Sequence, residues 1–297
     1  MVKALAESSL AAREVLQEVD EALKQALSRL MFEGPIEELT LTENAQPALM
    51  AASMAVLRVL EKDGGVDLKT RIAYVAGHSL GEYSALAAAG TFTLADAARL
   101  LKRRGQAMQR AVPVGEGAMA AVLGLDVGPL KEVAKAAAQG QVCAVANDNA
   151  PGQVVLSGHA EAIERAIPLA TEKGAKRCIK LPVSAPFHCA LMAPAADEMK
   201  TALAEVTMRA PMVPLVANVT AEAVVEADHI RSLLVEQVTA MVRWRECVGY
   251  LKEQGVSQMI ELGAGKVLSG LVKRIEPEVV ALSVGTPADV EAALKAL

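Results

Sequence analysis

The 297 residues predict an α/β fold: an α/β-hydrolase-like parallel-sheet domain with an inserted ferredoxin-like subdomain. Three observations carry that expectation. A short apolar stretch, Arg71 to Ala76, runs through "GHSLG" into the helix-forming "LGEYSALAAA", a strand, a sharp turn and a helix. Residues 114–186 alternate in the order β-α-β-β-α-β, the split βαβ arrangement. Beyond 186, helix and strand textures alternate again to the end of the chain. The expected domains are therefore a discontinuous large unit, 1–113 with 187–297, and a small unit, 114–186.

The elements follow in order. Residues 8–32 read as one helix, capped near Ser8 or Ser9 and stopped before "EGP". A second helix spans about 44–62, with Pro47 in its first turn and Gly64 and Gly65 beyond its end. After the strand and turn, "TLADAARLLKRRGQAMQRA" has an apolar stripe and a basic face. In the small unit, "GAMAAVLGL", "VCAVAND", "GQVVLSG" and "KRCIKLPV" read as strands, and "PLKEVAKAAAQ" and "AEAIERAIPLATEKG" as helices. Then "HCALMAPAADEMKTALAEV" is helical, "VPLVANV" and "SQMIELG" are strands, "AGKVLSGLVKRI" is a helix, and "VVALSVG" with "ADVEAALKAL" closes the chain.

Composition narrows the function. A formal net charge of -5 with scattered basic residues gives no footprint for nucleic acid. The four cysteines, Cys143, Cys178, Cys189 and Cys247, form no CxxC pair, and four histidines supply no HExxH. Structural zinc and a disulfide framework are not expected, so the cytoplasm is the expected compartment. No apolar run reaches membrane-spanning length. A monomer is expected, with no metal and no resident cofactor.

Chemistry concentrates at Ser79. Glycines at 77 and 81 permit a tight turn, which would lift the hydroxyl to the N-terminus of the following helix, where negative charge is favoured. The competing reading is a helix cap. A serine nucleophile needs a base. His78 should point away from it, His159 starts a helix of the small unit, and His229 sits in an acidic stretch. His188, in a proline-containing loop after a strand, stands where α/β folds place catalytic groups; a capping or core role is the alternative.

"GHSLGEYSALAAAG", "RRGQAMQRAVP", "NDNAPGQVVLSG", "VSAPFHCALMAPAADEM", "VRWRECVGYL" and "IELGAGKVLSGL" lie in one order along the chain. Together they resemble the malonyl-CoA:acyl carrier protein transacylases of fatty acid synthesis. The resemblance implies that Ser79 attacks the thioester, His188 is its base, and an acyl-serine passes malonyl to phosphopantetheine. It implies Arg104 as the holder of the malonyl carboxylate, although Lys102 and Arg103 compete on periodicity alone. A backbone carbonyl orients the histidine in that family; the matching segment reads "AMVRW" and puts it on Ala240, where the family carries an Asn-Pro pair. Phe187 resembles the malonyl-selective members. Gln46, His78, Asn147 and Asn149 fall in matching motifs near the pocket, with turn or capping roles as the alternative for the amides.

The Leu80 N–H is the expected first oxyanion donor. The family takes the second from a "PGQGSQ" segment that this chain does not contain, so the resemblance places it upstream of Met1. The expectation is a chain slowed on the order of a hundredfold to a thousandfold. Malonyl-CoA and acyl carrier protein are the implied partners, the latter docking at Lys266, Lys273 and Arg274 or else leaving those residues to solvate a helix. Two alternatives stay open: a serine hydrolase or thioesterase, and an impaired form that only binds carrier protein.

Overall fold

The computed structural model describes residues 1–183 and 185–296. Ser184, inside the "VSAPFH" motif, and Leu297, the end of the expected last helix, lie outside the described residues. The expected helix over 8–32 is broken into Lys3–Ser8, Leu10–Leu23 and Leu27–Glu33. Ser9 caps the second piece by accepting from the Ala12 N–H, and Lys24, left-handed at φ 50°, ends it. Thr42–Lys62 forms the expected second helix and packs against Leu94–Ala111 and Leu10–Leu23 in the largest core.

Among the described residues the strands are β1 (Val75–Ala76), β2 (Gly117–Leu123), β3 (Cys143–Ala150), β4 (Gln153–His159), β5 (Arg177–Lys180), β6 (Leu215–Val216), β7 (Ala223–Val224), β8 (Gln258–Leu262) and β9 (Val280–Val284). The first is shorter than its sequence suggests, because Asp67 caps a helical turn over Leu68–Arg71 by accepting from the Lys69 N–H. β1 pairs parallel with β6 and β8 parallel with β9, whereas β7 pairs antiparallel with β6. A mixed sheet, β1-β6-β7, thus stands beside a parallel pair, β8-β9. Both pieces contribute to the same two cores: Tyr74, Ala76 and Met259 to one, Val75, Ile260 and Leu262 to the other. Helices cover both faces.

The second sheet runs β3-β4-β2-β5, every neighbouring pair antiparallel. Helices Val127–Ala138 and Ala160–Glu172 cover one face and close a core of their own around Leu130, Leu156 and Ile163. The opposite face, with Met119, Ala146 and Val155, packs against Phe187 in the strand-to-helix loop. Backbone bonds from Val242 N–H to the Ala146 carbonyl and from Asp148 N–H to the Val242 carbonyl stitch the two sheets' units together.

Candidate active site

Ser79 stands between β1 and the helix Leu80–Ala88, with φ 53° and ψ -108°. That backbone is unfavourable for a residue with a Cβ and persists only if its surroundings hold it. Gly77 makes the turn possible, since a Cβ there would lie 1.9 Å from the Gly81 carbonyl oxygen. Gly81 itself faces open space, so close packing is required at the first glycine only. Fully buried Asn218, just past β6, clips the turn: its Nδ2 donates to the Gly77 carbonyl at 2.8 Å, and its Oδ1 accepts from the Ser79 N–H at 2.7 Å.

The turn aims Ser79 Oγ at His188 Nε2, 2.8 Å away across 109 residues of sequence. His188 Nδ1 lies 2.8 Å from the Gln237 carbonyl oxygen. A carbonyl can only accept, so Nδ1 carries the proton and Nε2 is free to take one from the serine. Burial, aided by the Arg104 charge, lowers the pKa of His188 to about 3, against the opposing support of the carbonyls. The imidazole is therefore neutral, and ready to accept, at any physiological pH.

The carbonyl at 2.8 Å is that of Gln237, which stands beside the expected Ala240. Helix Ala227–Gln237 ends at Gln237, where the termination of the backbone ladder frees a carbonyl; that of Ala240, three residues on, is the lesser support of the ring.

Arg104 is 1% exposed in the middle of Leu94–Ala111. Its guanidinium donates to Ser79 Oγ at 3.1 Å, to Gln46 Oε1 at 2.7 Å and to Gln237 Oε1 at 2.9 Å, and lies 5.6 Å above the Tyr83 ring. Among the described residues no carboxylate forms an ion pair with it. Lys102 and Arg103, its competitors in the sequence, turn outward to Glu43 and to Glu198 and Glu205. Burial lowers the Arg104 pKa, with Tyr83 and Glu82 opposing, and the guanidinium keeps its charge.

The other expected residues divide. Gln46 lies behind Arg104, holding it rather than facing Ser79, with its Nε2 toward Met108 Sδ at 3.7 Å. His78 points away from Ser79, its Nε2 2.8 Å from Asn149 Oδ1 and its ring 5.7 Å from that of Trp244. Asn147 is buried in β3, in register with Val242, and Phe187 packs between the two units; no hydrogen bond joins either to Ser79. Leu80 begins its helix directly after the nucleophile, and its N–H has no acceptor among the described residues.

Three residues of the site carry no reading in the sequence: Glu82, Asn218 and Gln237. Asn218 had a usable signal, a lone amide at the carboxyl end of an apolar strand. Gln237 lies near the end of an ordinary amphipathic helix and has none.

The fold and this Ser–His–Arg constellation define an acyl-group-transfer protein, and the chain belongs to the acyl transferase domain family, which it matches over residues 1–284. It is 46% identical over 298 residues to the malonyl CoA-acyl carrier protein transacylase of Bacillus subtilis, covering 100% of this chain and 92% of that one. The acyl-carrier-protein-S-malonyltransferase of Bartonella henselae superposes with a TM-score of 0.97 at 55% identity, over 100% of this chain and 94% of that one. A malonyl-transacylase solved in complex with a type II polyketide acyl-carrier protein superposes at 0.96 with 43% identity, over 100% and 95% of the two chains.

Proposed function

We propose that the chain moves a malonyl group from malonyl-CoA to the phosphopantetheine thiol of acyl carrier protein. The observation that carries this reading is Arg104: a buried cation in no ion pair with a carboxylate among the described residues, 3.1 Å from the nucleophile. A buried guanidinium whose one carboxylate neighbour among the described residues, Glu82, reaches it only through Gln237 suits a ligand that brings a carboxylate of its own. A malonyl thioester does so at a fixed distance from its reacting carbonyl.

In the first half-reaction Ser79 Oγ attacks the thioester carbonyl while its proton passes to His188 Nε2. The Leu80 N–H faces the developing oxyanion. The C–S bond breaks, and the coenzyme A sulfur leaves with the proton held on His188. In the second, the carrier thiol gives its proton to His188 and its sulfur attacks the acyl-serine ester; Ser79 recovers the proton as the ester bond breaks. Each step balances without a metal or resident cofactor, and coenzyme A enters as a substrate. His188, kept neutral by burial with Nε2 free toward Ser79, can take the serine proton before the thioester breaks and, once protonated, returns it as an acid as the intermediate collapses.

Residues 1–113 and 187–297 supply the nucleophile, base and arginine, while 114–186 with Phe187, His78 and Asn147 forms the opposite wall of the cleft in this reading. Lys266 and Lys273 border a cleft of about 410 Å³ beside β9 and are suited to an acidic carrier; Arg274 is partly committed to the Pro151 carbonyl and Gln153. No helix among the described residues is long and apolar enough to cross a membrane. All four cysteines are free thiols, in keeping with a reducing cytoplasm.

Arg104→Ala tests the reading. Loading of Ser79 from malonyl-CoA should fall by a hundredfold or more, the scale of a lost charge-assisted bidentate contact, while loading from acetyl-CoA falls far less. Equal losses for the two donors would favour a general thioester hydrolase.

A further inference from the structure

Glu82 is 1% exposed, one helical turn beyond the nucleophile, and makes no ion pair among the described residues. Its Oε2 accepts from Gln237 Nε2 at 2.8 Å and from the Asn218 N–H at 3.2 Å. These two partners hold the rest of the site. Gln237 Nε2 also donates to the Ser79 carbonyl at 3.0 Å, its Oε1 accepts from Arg104 at 2.9 Å, and its backbone carbonyl accepts from His188. Asn218 clips the turn on either side of Ser79.

A glutamine amide can present oxygen or nitrogen to either neighbour, and the two ends differ little in shape. Arg104 accepts nothing, so the orientation seen is the only one that satisfies it. An ionised carboxylate at 82 donates nothing and enforces the same orientation from the other end.

We propose that Glu82 is a positioning residue: as a carboxylate it fixes the amide of Gln237 oxygen-first toward Arg104, and protonation releases that amide and with it the aim of the guanidinium. The proposal rests on Arg104 as the malonyl-carboxylate site. The release is chemically direct. A protonated Glu82 can donate to a flipped Gln237 oxygen, which would then turn its NH2 onto Arg104, donor against donor.

Burial raises the Glu82 carboxyl to about 7, opposed by Gln237, Asn218 and Arg104, so both charge states are populated near neutrality. The charged or titratable groups acting with it are Arg104 from Leu94–Ala111, Tyr83 on its own helix and Cys247 from Trp244–Glu253. Tyr83 and Cys247 are both shifted upward, and His188 stays neutral, leaving Glu82 as the group that titrates in this cluster between pH 5.5 and 8.5.

The test is the KM for malonyl-CoA and for acetyl-CoA in Ser79 loading from pH 5.5 to 8.5, for the unaltered chain, Glu82→Gln, Arg104→Ala and the double variant. For malonyl-CoA the KM of the unaltered chain should rise about tenfold as pH falls through about 7, with little change for acetyl-CoA. Glu82→Gln should show the raised value at every pH, with no step, and should add nothing in the Arg104→Ala background. A step that survives in Glu82→Gln, or an equal Glu82→Gln loss with and without Arg104, overturns the proposal. If Glu82→Gln fails to fold, the same step read in the unaltered chain and lost in Arg104→Ala decides it; a step that persists there also overturns it. Failure of the underlying reading looks different: Arg104→Ala would then leave the malonyl-to-acetyl preference unchanged.

Discussion

Ser79, His188 and Arg104 form a set in which each side chain has one role because its neighbours forbid another. The serine hydroxyl accepts from Arg104 and donates to His188, and His188 cannot donate from Nε2 because the Gln237 carbonyl claims the proton on Nδ1. Burial makes His188 a stability liability in acid. Its folded pKa lies below its unfolded one, so below about pH 6.5 the unfolded chain binds a proton that the folded chain refuses. Stability from this group is present above that pH and is lost as pH falls toward 3. His188→Gln, which carries no titrating ring, should therefore lose about 1 kcal/mol less than the unaltered chain between pH 6.5 and 5.5 in urea unfolding. Parallel losses would mean that His188 is more accessible to protonation than its 4% exposure implies. The sequence made Ser79 and His188 legible because the turn and the motif order are written in residue types. The orienting carbonyl was not legible. Every residue has one, and only the end of helix Ala227–Gln237 selects that of Gln237 over that of Ala240.

Among the elements, the turn at 77–81 depends most on single atoms. Gly77→Ala would drive a methyl into the Gly81 backbone, where no side chain can yield. A loss of about 3 kcal/mol in folding stability is expected, with Ser79 loading falling at the same time. Gly81→Ala, which meets open space, should leave stability within about 1 kcal/mol. If the two variants behaved alike in chemical denaturation, the tight turn would not be held by backbone contact. Helices Thr42–Lys62 and Leu94–Ala111 and strands β2 to β5 were legible from periodicity to within a few residues. The first helix was not: Ser9 and Lys24 interrupt a continuous amphipathic pattern with a cap and a left-handed residue, neither of which disturbs hydrophobic spacing. The large sheet was legible as apolar runs, but not the antiparallel β7, whose two residues are too few to carry a period.

At the scale of the molecule, the β3-β4-β2-β5 sheet docks on the rest of the chain through shared packing, with Ala150 of β3 in one core with Val216 and Trp244. Arg245 reaches from helix Trp244–Glu253 to Asp148 on β3, at 2.8 Å, and the Asp148 carboxylate is 1% exposed. Removing the cation would leave a buried carboxylate without its counter-charge. Arg245→Met should cost about 2 kcal/mol in urea unfolding, a figure below that of a fully buried pair because Arg245 is one-third exposed. A neutral result would mean that the other contacts between these parts, the Val242 backbone bonds and the packing of Phe187 and Ala150 among them, hold them without this ion pair. The order of strands in the small sheet followed from its β-α-β-β-α-β sequence, whereas its docking on the rest of the chain followed from nothing in the residues and is set by contacts such as these.

The most direct test of the whole account is intact-protein mass spectrometry of the chain after incubation with malonyl-CoA, with Ser79→Ala alongside. The account predicts one malonyl group added per chain, absent from Ser79→Ala and transferred off when phosphopantetheinylated acyl carrier protein is supplied. An adduct that persists in Ser79→Ala, or none at all in folded protein, would contradict it.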